Sequence, residues 1–435
     1  MRSVRLADVA AVVFLALLCT QAQCARSSPP PSGSAPAPSS AAADVPRHVL
    51  TYQFFGVNGV PKGEPHADVA SAAKWTDWAM SNPAMSKTLS AAGIKTIFYT
   101  DPNRVAPRDK EYTADETEFA HDCSGKRILV LKGQKRYLTD PASVTTQQAW
   151  KSHIDTVMRQ GHFDAIYDDT AGSMGSLSAL PCGFQEGRWI DEHVTFVESA
   201  GVPVIVNAIG DGDLPQTGKG ADGTYSMSPI VQVVTRATNA IGGTFEDCYA
   251  SPDHPSDKGG DVTAGSYWQQ TENTELAIAR LDKIFVCNWR SERESMADAV
   301  PARTYAEASF LLTYDIHTSM VRSQFLSPSW FNVGPEAELV ALDPVVRTPQ
   351  TIDALRASGG AYGREYRACY VAAVPVGPCA AVVNSSASGA KAFPFAGYRR
   401  TMVLQGAGIL DGGTISTNGP APGSLAPLTG VVAFK

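Results

Sequence analysis

The sequence of 435 residues has no cluster of lysine and arginine, and its formal net charge is -7. Nucleic-acid-binding proteins usually carry a basic patch, so nucleic acid is not expected as the main partner. After the N-terminus no segment is long and apolar enough to span a bilayer. A nucleotide-binding loop is also missing, because the glycines of "GDGDLPQTGKG", residues 210–220, have neither P-loop nor G-x-G-x-x-G spacing.

Several motifs that would identify other enzymes are missing too. No serine lies in a G-x-S-x-G turn, which leaves a serine hydrolase unsupported. No cysteines form a C-x-x-C pair, which weakens a zinc-site interpretation. The histidines are scattered, without H-x-x-x-H or H-E-x-x-H spacing; they include His121, His153, His193 and His317. No metal or other cofactor is therefore expected.

What is present begins with an export signal. Arg2 and Arg5 precede an apolar run at residues 9–18, and small and polar residues follow it. This pattern is typical of a signal peptide and is too short for a comfortable membrane span. Cleavage after Ala22 is plausible, so residues 1–22 are predicted to be a signal peptide and the protein to be secreted or periplasmic.

Lipid anchoring at Cys19 or Cys24 is the alternative, and it ranks second because neither cysteine follows the small residue that acylation favours. Residues 23–46 are rich in proline, serine and alanine and have almost no bulky apolar side chains. Such a composition cannot form a core, and it predicts a flexible linker.

Six cysteines follow the signal region, and an even number in an exported chain favours disulfides. Six cysteines allow 15 connectivities, which spacing alone does not resolve. One pair is close in sequence: Cys369 and Cys379 flank "YVAAVPVGP", and we predict that they are bonded across a hairpin.

From residue 47 onward, apolar runs alternate with amphipathic stretches, which indicates a parallel sheet covered by helices. The predicted strands are "HVLTYQFFG", "IKTIFYTD", "RILVLKG", "FDAIYDD", "VPVIVNA", "GGTFEDCY" and "KIFVCNW". The predicted helices include "TTQQAWKSHIDTVMRQ", "GRWIDEHVTFVESA", "NTELAIARLDK" and "PARTYAEASFLLTY". Repeated units of this kind predict a (β/α)8 TIM barrel over residues 47–358, with a doubly wound open sheet as the alternative.

The pattern changes after about residue 360. Short β-rich runs separated by turn residues replace the helical periodicity. Residues 359–435 are therefore predicted to form a small C-terminal antiparallel domain, similar to a β-sandwich, appended to the α/β barrel.

Polar residues close several of the predicted barrel strands. In a (β/α)8 barrel the active site lies at the carboxyl ends of the strands, so these residues are the candidates. They are Asp101, Asp168, Asp169, Asn207, Glu246, Asp247, Asn288 and Trp289. Carboxylates and amides beside aromatic rings make a polar cleft with surfaces on which a sugar can stack.

This set suits cleavage of a glycosidic bond, which needs one carboxyl to protonate the leaving oxygen and a second as nucleophile or base. The two must lie on different strands, as Asp168 and Glu246 do. Neighbouring strand residues point to opposite faces, so we expect Asp168 to point into the barrel mouth and Asp169 to orient neighbouring groups. Tyr167, Asp101, Asn207, Asp247, Asn288 and Trp289 are predicted to bind the substrate.

The strand motif "FDAIYDDT" resembles the "FDGVFLDDT" type of motif in glycosyl-hydrolase-like barrels. These include the hypothetical glycosyl-hydrolase-like family 15 and, more distantly, the polygalactosaminidase-type glycoside hydrolase family 114. The resemblance implies that Asp168 is the nucleophile or base and that Glu246, in "GGTFEDCY", is the acid. Ala165 replaces the glycine that usually follows "FD".

Two other functions stay open. "YDDT" is similar to the Asp-Asp motif of metal-dependent polysaccharide deacetylases, although that chemistry needs paired histidines that the sequence lacks. A non-catalytic barrel that binds polysaccharide is the third possibility. In each case the expected partner is a polysaccharide or oligosaccharide, and the sequence does not identify the sugar or the stereochemical course.

Overall fold

The computed structural model describes a large part of the chain, in several ranges. These are residues 49–51, 73–106, 115–130, 136–169, 171–172, 177–207, 209–210, 227–246, 248–249, 264–291, 297–325 and 333–435. The predicted signal peptide, its alternative acylation sites and the linker lie outside these residues, as do Asp247 and the loop 211–220. Trp289 is described only as part of a strand, without its side chain.

Parallel strands form a curled sheet at the centre of the molecule. Its strands are β1 (Val49–Thr51), β2 (Thr76–Met80), β3 (Lys95–Thr100), β7 (Ala165–Asp168), β8 (Val204–Val206), β9 (Ala240–Glu246), β10 (Ile284–Ser291) and β11 (Ser319–Phe325). Hydrogen-bonded neighbours follow the order β1-β11-β10-β9-β8-β7-β3-β2, and β1 also pairs with β2. Only one residue pair, Val49 with Val321, joins β1 to β11. The predicted TIM-like α/β architecture is confirmed.

Both faces of this sheet are buried, which explains the nearly continuous apolar character of its strands. One face encloses an interior cluster, to which Ala165 and Tyr167 of β7 belong together with Ile205 and Val286. The other face packs against helices, and Ile166 contributes to that layer. The alternation along β7 therefore places odd-numbered residues inside the barrel and even-numbered residues under the helices.

Helices follow most of the barrel strands in the described ranges. They are α1 (Pro83–Ala91), α2 (Val144–Gln160), α3 (Glu186–Ser199), α4 (Val231–Arg236), α5 (Ala264–Ala279) and α6 (Val300–Thr313). Capping side chains mark two of the starts: Asn82 accepts from the backbone N–H of Met85, and Ser143 accepts from that of Thr146. The helices predicted from periodicity are confirmed for α2, α3, α5 and α6.

One predicted barrel strand lies elsewhere. The stretch "RILVLKG" contributes β5 (Leu129–Val130) to a small antiparallel sheet, in the order β4-β6-β5, with β4 (Arg104–Val105) and β6 (Arg136–Leu138). The barrel sheet instead includes β2 and β11, two strands that were not predicted from the sequence. The small sheet is formed by the chain between β3 and α2. It therefore begins after the carboxyl end of a barrel strand.

The C-terminal part forms a separate antiparallel sheet, in the order β12-β13-β14-β19-β16-β17. Its strands are β12 (Leu339–Pro344), β13 (Tyr362–Val371), β14 (Val374–Asn384), β16 (Arg400–Gln405), β17 (Thr414–Pro420) and β19 (Thr429–Phe434). A two-stranded sheet of β15 (Lys391–Ala392) and β18 (Ser424–Leu425) accompanies it. The antiparallel C-terminal structure predicted from the sequence is confirmed.

This sheet packs on α6. Gly430 of β19 lies so close to the helix that an added Cβ would stand 2.8 Å from Cβ of Ala308. Apolar residues of α6 and of the sheet belong to one continuous core cluster, which also includes the helix-facing residues of the barrel. The barrel and the C-terminal sheet thus share their apolar core.

A buried ion pair also joins α6 to the C-terminal part. The Arg303 guanidinium donates from Nε to Oε1 of Glu336 at 2.9 Å and from Nη2 to Oε2, and its Nη1 donates to the carbonyl of Gly406 at 2.9 Å. The Arg303 side chain is 0% exposed and that of Glu336 is 8% exposed. Such a pair is costly to break, because removing one partner leaves the other charge buried.

Arg303→Met is therefore expected to lower the free energy of unfolding by about 3–5 kcal/mol. The double variant Arg303→Met/Glu336→Met removes both charges and should recover most of that loss. Chemical denaturation followed by circular dichroism measures both. If the double variant proved as unstable as the single one, the penalty would not come from an uncompensated Glu336.

Three disulfides are present: Cys123–Cys182, Cys248–Cys287 and Cys369–Cys379. The last is the predicted one, and it connects β13 to β14. All six cysteines that follow the signal region are thus paired, as expected for a disulfide framework. Among the residues that the structure describes, we find no helix with the length and apolarity to cross a membrane.

Candidate active site

Polar side chains from three consecutive strands meet at the carboxyl end of the barrel. Asp169 directly follows β7, Asn207 directly follows β8, and Glu246 is the last residue of β9. Nδ2 of Asn207 donates to Oδ1 of Asp169 at 2.6 Å and to Oε1 of Glu246 at 3.0 Å. An amide NH2 carries two hydrogens, so one asparagine can serve both acceptors. The two carboxylates therefore lie on either side of one nitrogen atom.

Tyrosines support this pair from two sides. The hydroxyl of Tyr99 donates to Oδ2 of Asp169 at 2.5 Å, so both oxygens of that carboxylate are held. The ring of Tyr99 stacks on that of Tyr167, with centroids 6.0 Å apart. Tyr267 of α5 donates its hydroxyl to the backbone carbonyl of Glu246 at 3.2 Å. The orientation of Asp169 is thus fixed by two hydrogen bonds, and the end of β9 is tied to α5.

The predicted orientation of the aspartate pair is wrong. Asp168 is 0% exposed and lies on the face of Ile166, under the helices, whereas Asp169 lies on the interior face with Tyr167. The alternation along the strand correctly predicted that Asp168 shares a face with Ile166 and Asp169 with Tyr167. It did not predict which face lines the barrel interior, because both faces of β7 are buried. The carboxylate that meets Glu246 across Asn207 is therefore that of Asp169.

Asp101 and Asn288 also lie at this carboxyl end of the barrel, its rim. Asp101 follows β3, and its Oδ2 accepts from Nη1 of Arg136 at 2.7 Å, so its charge is balanced by the small antiparallel sheet. Asn288 is paired in register with Glu246 on the adjacent strand and is 1% exposed. Its Oδ1 has no hydrogen-bond partner in the described part of the chain, which leaves an acceptor available beside Glu246.

Tyr167 had been predicted to contact substrate, but its side chain is fully buried. Because it lies one layer below the rim, its contact is with Tyr99 rather than with the opening of the barrel. Asp247 lies outside the described residues, and the side chain of Trp289 is not described. Their predicted contacts with substrate stay predictions, as do those of Asp101, Asn207 and Asn288.

Burial changes the protonation of two groups behind the rim. It raises the pKa of Asp168 well above its usual value, and the negative charges of Asp101 and Asp169 add to that effect. Burial also lowers the pKa of His193 to about 4, against the opposing influence of the Trp189 carbonyl. His193 is consequently uncharged near neutral pH.

Three residues near the site were not predicted from the sequence: Tyr99, Asn103 and His193. Tyr99 could have been found, because it lies two positions before Asp101 and so points to the same face of β3. His193 and Asn103 are 90 positions apart and approach each other only through the fold. In the described ranges, no group of three His, Cys, Asp or Glu side chains has the arrangement of a metal site.

No protein-family model matches the chain, and no curated protein sequence matches it. Among solved structures, the glycoside hydrolase domain of PelA from Pseudomonas aeruginosa is 12% identical, with a TM-score of 0.40 over 63% of this chain and 94% of that one. Ega3 from Aspergillus fumigatus, solved in complex with galactosamine, is 9% identical, with a TM-score of 0.38 over 65% and 92%. An alpha-galactosidase from Lactobacillus brevis is 10% identical, with a TM-score of 0.43 over 89% of this chain and 55% of its own.

By their descriptions, the PelA domain is a glycoside hydrolase and the Lactobacillus brevis protein is an alpha-galactosidase. At such identities and TM-scores, the likeness identifies neither a family nor an activity. Membership of the two families suggested by the strand motif stays a prediction, and the function has to be argued from the residues at the rim.

Proposed function

We propose that this protein is an exported glycoside hydrolase that cleaves a polysaccharide or oligosaccharide with retention of configuration. Asp169 acts as the nucleophile, and Glu246 acts first as general acid and then as general base. The observation that carries the proposal is the Asn207 amide, which donates to both carboxylates at once.

The shared donor limits how far apart the carboxylates can be. Both bonds start from Nδ2 of Asn207, so the two acceptor oxygens cannot be further apart than the bonds of 2.6 and 3.0 Å laid end to end. In retaining enzymes the two carboxyl groups are roughly 5–5.5 Å apart, and in inverting enzymes roughly 6.5–9.5 Å, which leaves space for a water between them. Two carboxylates whose nearest oxygens share one donor fit the shorter of these separations, at which one carboxylate attacks the sugar directly.

The two roles follow from the hydrogen bonds. Asp169 receives donors on both oxygens, from Tyr99 and Asn207, which fix its position and balance its negative charge. A nucleophile must be held in a fixed position, and the two hydrogen bonds to Asp169 do this. In the first step Asp169 bonds to the anomeric carbon while Glu246 protonates the departing oxygen. In the second step water attacks the anomeric carbon while Glu246 takes its proton, and the bond between that carbon and Asp169 breaks.

The proposal also includes export of the protein and a complete barrel of eight strand–helix units. The N-terminal pattern predicts a signal peptide, and three disulfides suit an oxidising compartment outside the cytoplasm. We take β1 to β11 as the catalytic barrel and the antiparallel sheet that begins with β12 (Leu339–Pro344) as the accessory domain, so the boundary lies before β12 and not at residue 358. Peptide sequencing of the mature protein would identify the cleavage site.

The deacetylase alternative requires paired histidines that hold a metal beside the aspartates, and the described residues form no such group. His193 is a buried residue of α3 and approaches Asp168 only through Asn103. His121 pairs with Glu116 at the surface, and His153 contacts Phe98 from α2. None of the described residues at the rim favours that chemistry over glycoside cleavage. A barrel that binds sugar without cleaving it would bind polymers in the same assay but release no product.

The test is a screen of purified protein against exported polysaccharides, with product sizes recorded by mass spectrometry. Once a substrate is found, proton NMR of the first product, taken before mutarotation, should show the anomeric configuration of the original linkage. Inversion would contradict the assignment of Asp169 as nucleophile. Binding without any released product would instead support the non-catalytic alternative.

A further inference from the structure

A buried row of polar groups begins at Asp168, on the side of β7 that faces the helices. Nδ2 of Asn103 donates to Oδ1 of Asp168 at 3.1 Å and to the backbone carbonyl of Asp169 at 3.3 Å. Oδ1 of Asn103 faces Nε2 of His193 at 3.2 Å. The three side chains are 0%, 2% and 1% exposed, in the order Asp168, Asn103 and His193. The row therefore connects Asp168 to the backbone that carries Asp169.

The surroundings of Asp168 do not suit a negative charge. An ionised carboxylate can accept about four hydrogen bonds, but Asp168 receives one from the described residues, at Oδ1. Its Oδ2 is buried and has no partner among the residues that the structure describes. The charged groups that act on it, Asp101 and Asp169, are both negative. An anion buried under these conditions costs far more free energy than the neutral acid.

His193 does not supply the missing positive charge. A neutral imidazole has one N–H, yet both ring nitrogens face oxygens, at 2.9 Å for the Trp189 carbonyl and 3.2 Å for Asn103. The ring therefore donates its one N–H to one of these two oxygens. Burial keeps the ring uncharged, since the pKa of His193 is about 4.

We propose that Asp168 is an uncharged carboxylic acid that positions Asp169 through Asn103. This inference rests on the proposed function, in which Asp169 is the nucleophile. If Asp168 were ionised, its charge would repel that of Asp169 and favour a protonated nucleophile. With Asp168 uncharged, the adjacent aspartates place one negative charge at the end of β7, on the residue that faces Glu246.

Infrared spectroscopy tests the charge without any need for activity. At pH 7 the difference spectrum of the wild-type protein minus Asp168→Asn should contain the carbonyl band of a protonated carboxyl group. Burial also raises the pKa of Glu272 and Glu307, but their bands cancel in the difference. Asp169→Asn is the matched control, one residue away, and should remove a carboxylate band instead. A carboxylate band lost in both variants would overturn the proposal.

Turnover tests the positioning. Asp168→Asn has the shape of the neutral acid and should keep kcat within about fivefold of the wild type, with the same acid limb in its pH profile. Asp168→Ala removes the acceptor that holds Asn103, so kcat should fall by roughly 10–100-fold with little change in KM. A loss in Asp168→Asn as large as that in Asp169→Asn would overturn the positioning role of Asp168. If no polysaccharide is cleaved, the proposed function fails, and the infrared result still decides the charge of Asp168.

Discussion

Asp169→Asn is expected to lower kcat for glycoside cleavage by at least about 10³-fold, because an amide cannot form the covalent bond to the anomeric carbon. The amide keeps the size of the carboxylate, and its oxygen can still accept from Tyr99 or Asn207. The thermal midpoint should therefore change by no more than about 4 °C. The measurement is release of reducing ends from the polymer found in the screen, together with a melting curve.

The matched control is Asp168→Asn, which makes the same chemical change one residue earlier and should keep most of the activity. Near-normal turnover by Asp169→Asn would refute its role as nucleophile. A large loss in both variants, with unchanged melting curves, would mean that the two aspartates act together.

Glu246→Gln should show a different kinetic pattern. General acid catalysis contributes about 10²–10⁴-fold, so kcat on the natural polymer should fall by that amount. An activated aryl glycoside departs without a proton, so its first step should be nearly unaffected. Release of the sugar from Asp169 then becomes slow, since water has lost its base. Added azide, which needs no base, should restore turnover.

Pre-steady-state kinetics with the aryl glycoside separates these steps, and a burst of aryl product is expected in Glu246→Gln. Glu198→Gln on α3 is a suitable control, because Oε1 of Glu198 bonds to Thr238 and has no contact with the rim. Equal losses on activated and natural substrates, without azide rescue, would argue against Glu246 as the acid.

Much of the rim could be predicted from the sequence, since a parallel barrel brings the carboxyl ends of its strands to one side. Asp101, Asn207, Glu246 and Asn288 each end a recognisable apolar run, so their common location followed from topology. The choice between the two aspartates did not follow. Ile166 and Tyr167 are both buried, and a strand buried on both faces gives no pattern that separates inside from outside.

Strand membership was predictable only where the apolar run was long. β2 and β11 contain polar residues, and neither was predicted as a strand. The stretch "RILVLKG" has the composition of a barrel strand, but it pairs with β6 in the small sheet. Periodicity reports that a segment is extended, but pairing partners depend on contacts between distant segments. The same limit applies to Asn103 and His193, which meet only after α3 packs on β7.

The burial of α6 has a practical consequence for producing the protein. Apart from Thr304, every residue from Ala302 to Thr313 is buried, and the C-terminal sheet lies against this helix. An ordinary outer helix of a barrel has a polar face exposed to water, whereas α6 has almost no exposed face. A truncation near residue 358 would therefore expose an apolar surface of the kind that drives aggregation. Expression of the barrel in soluble form requires the chain to continue through β19.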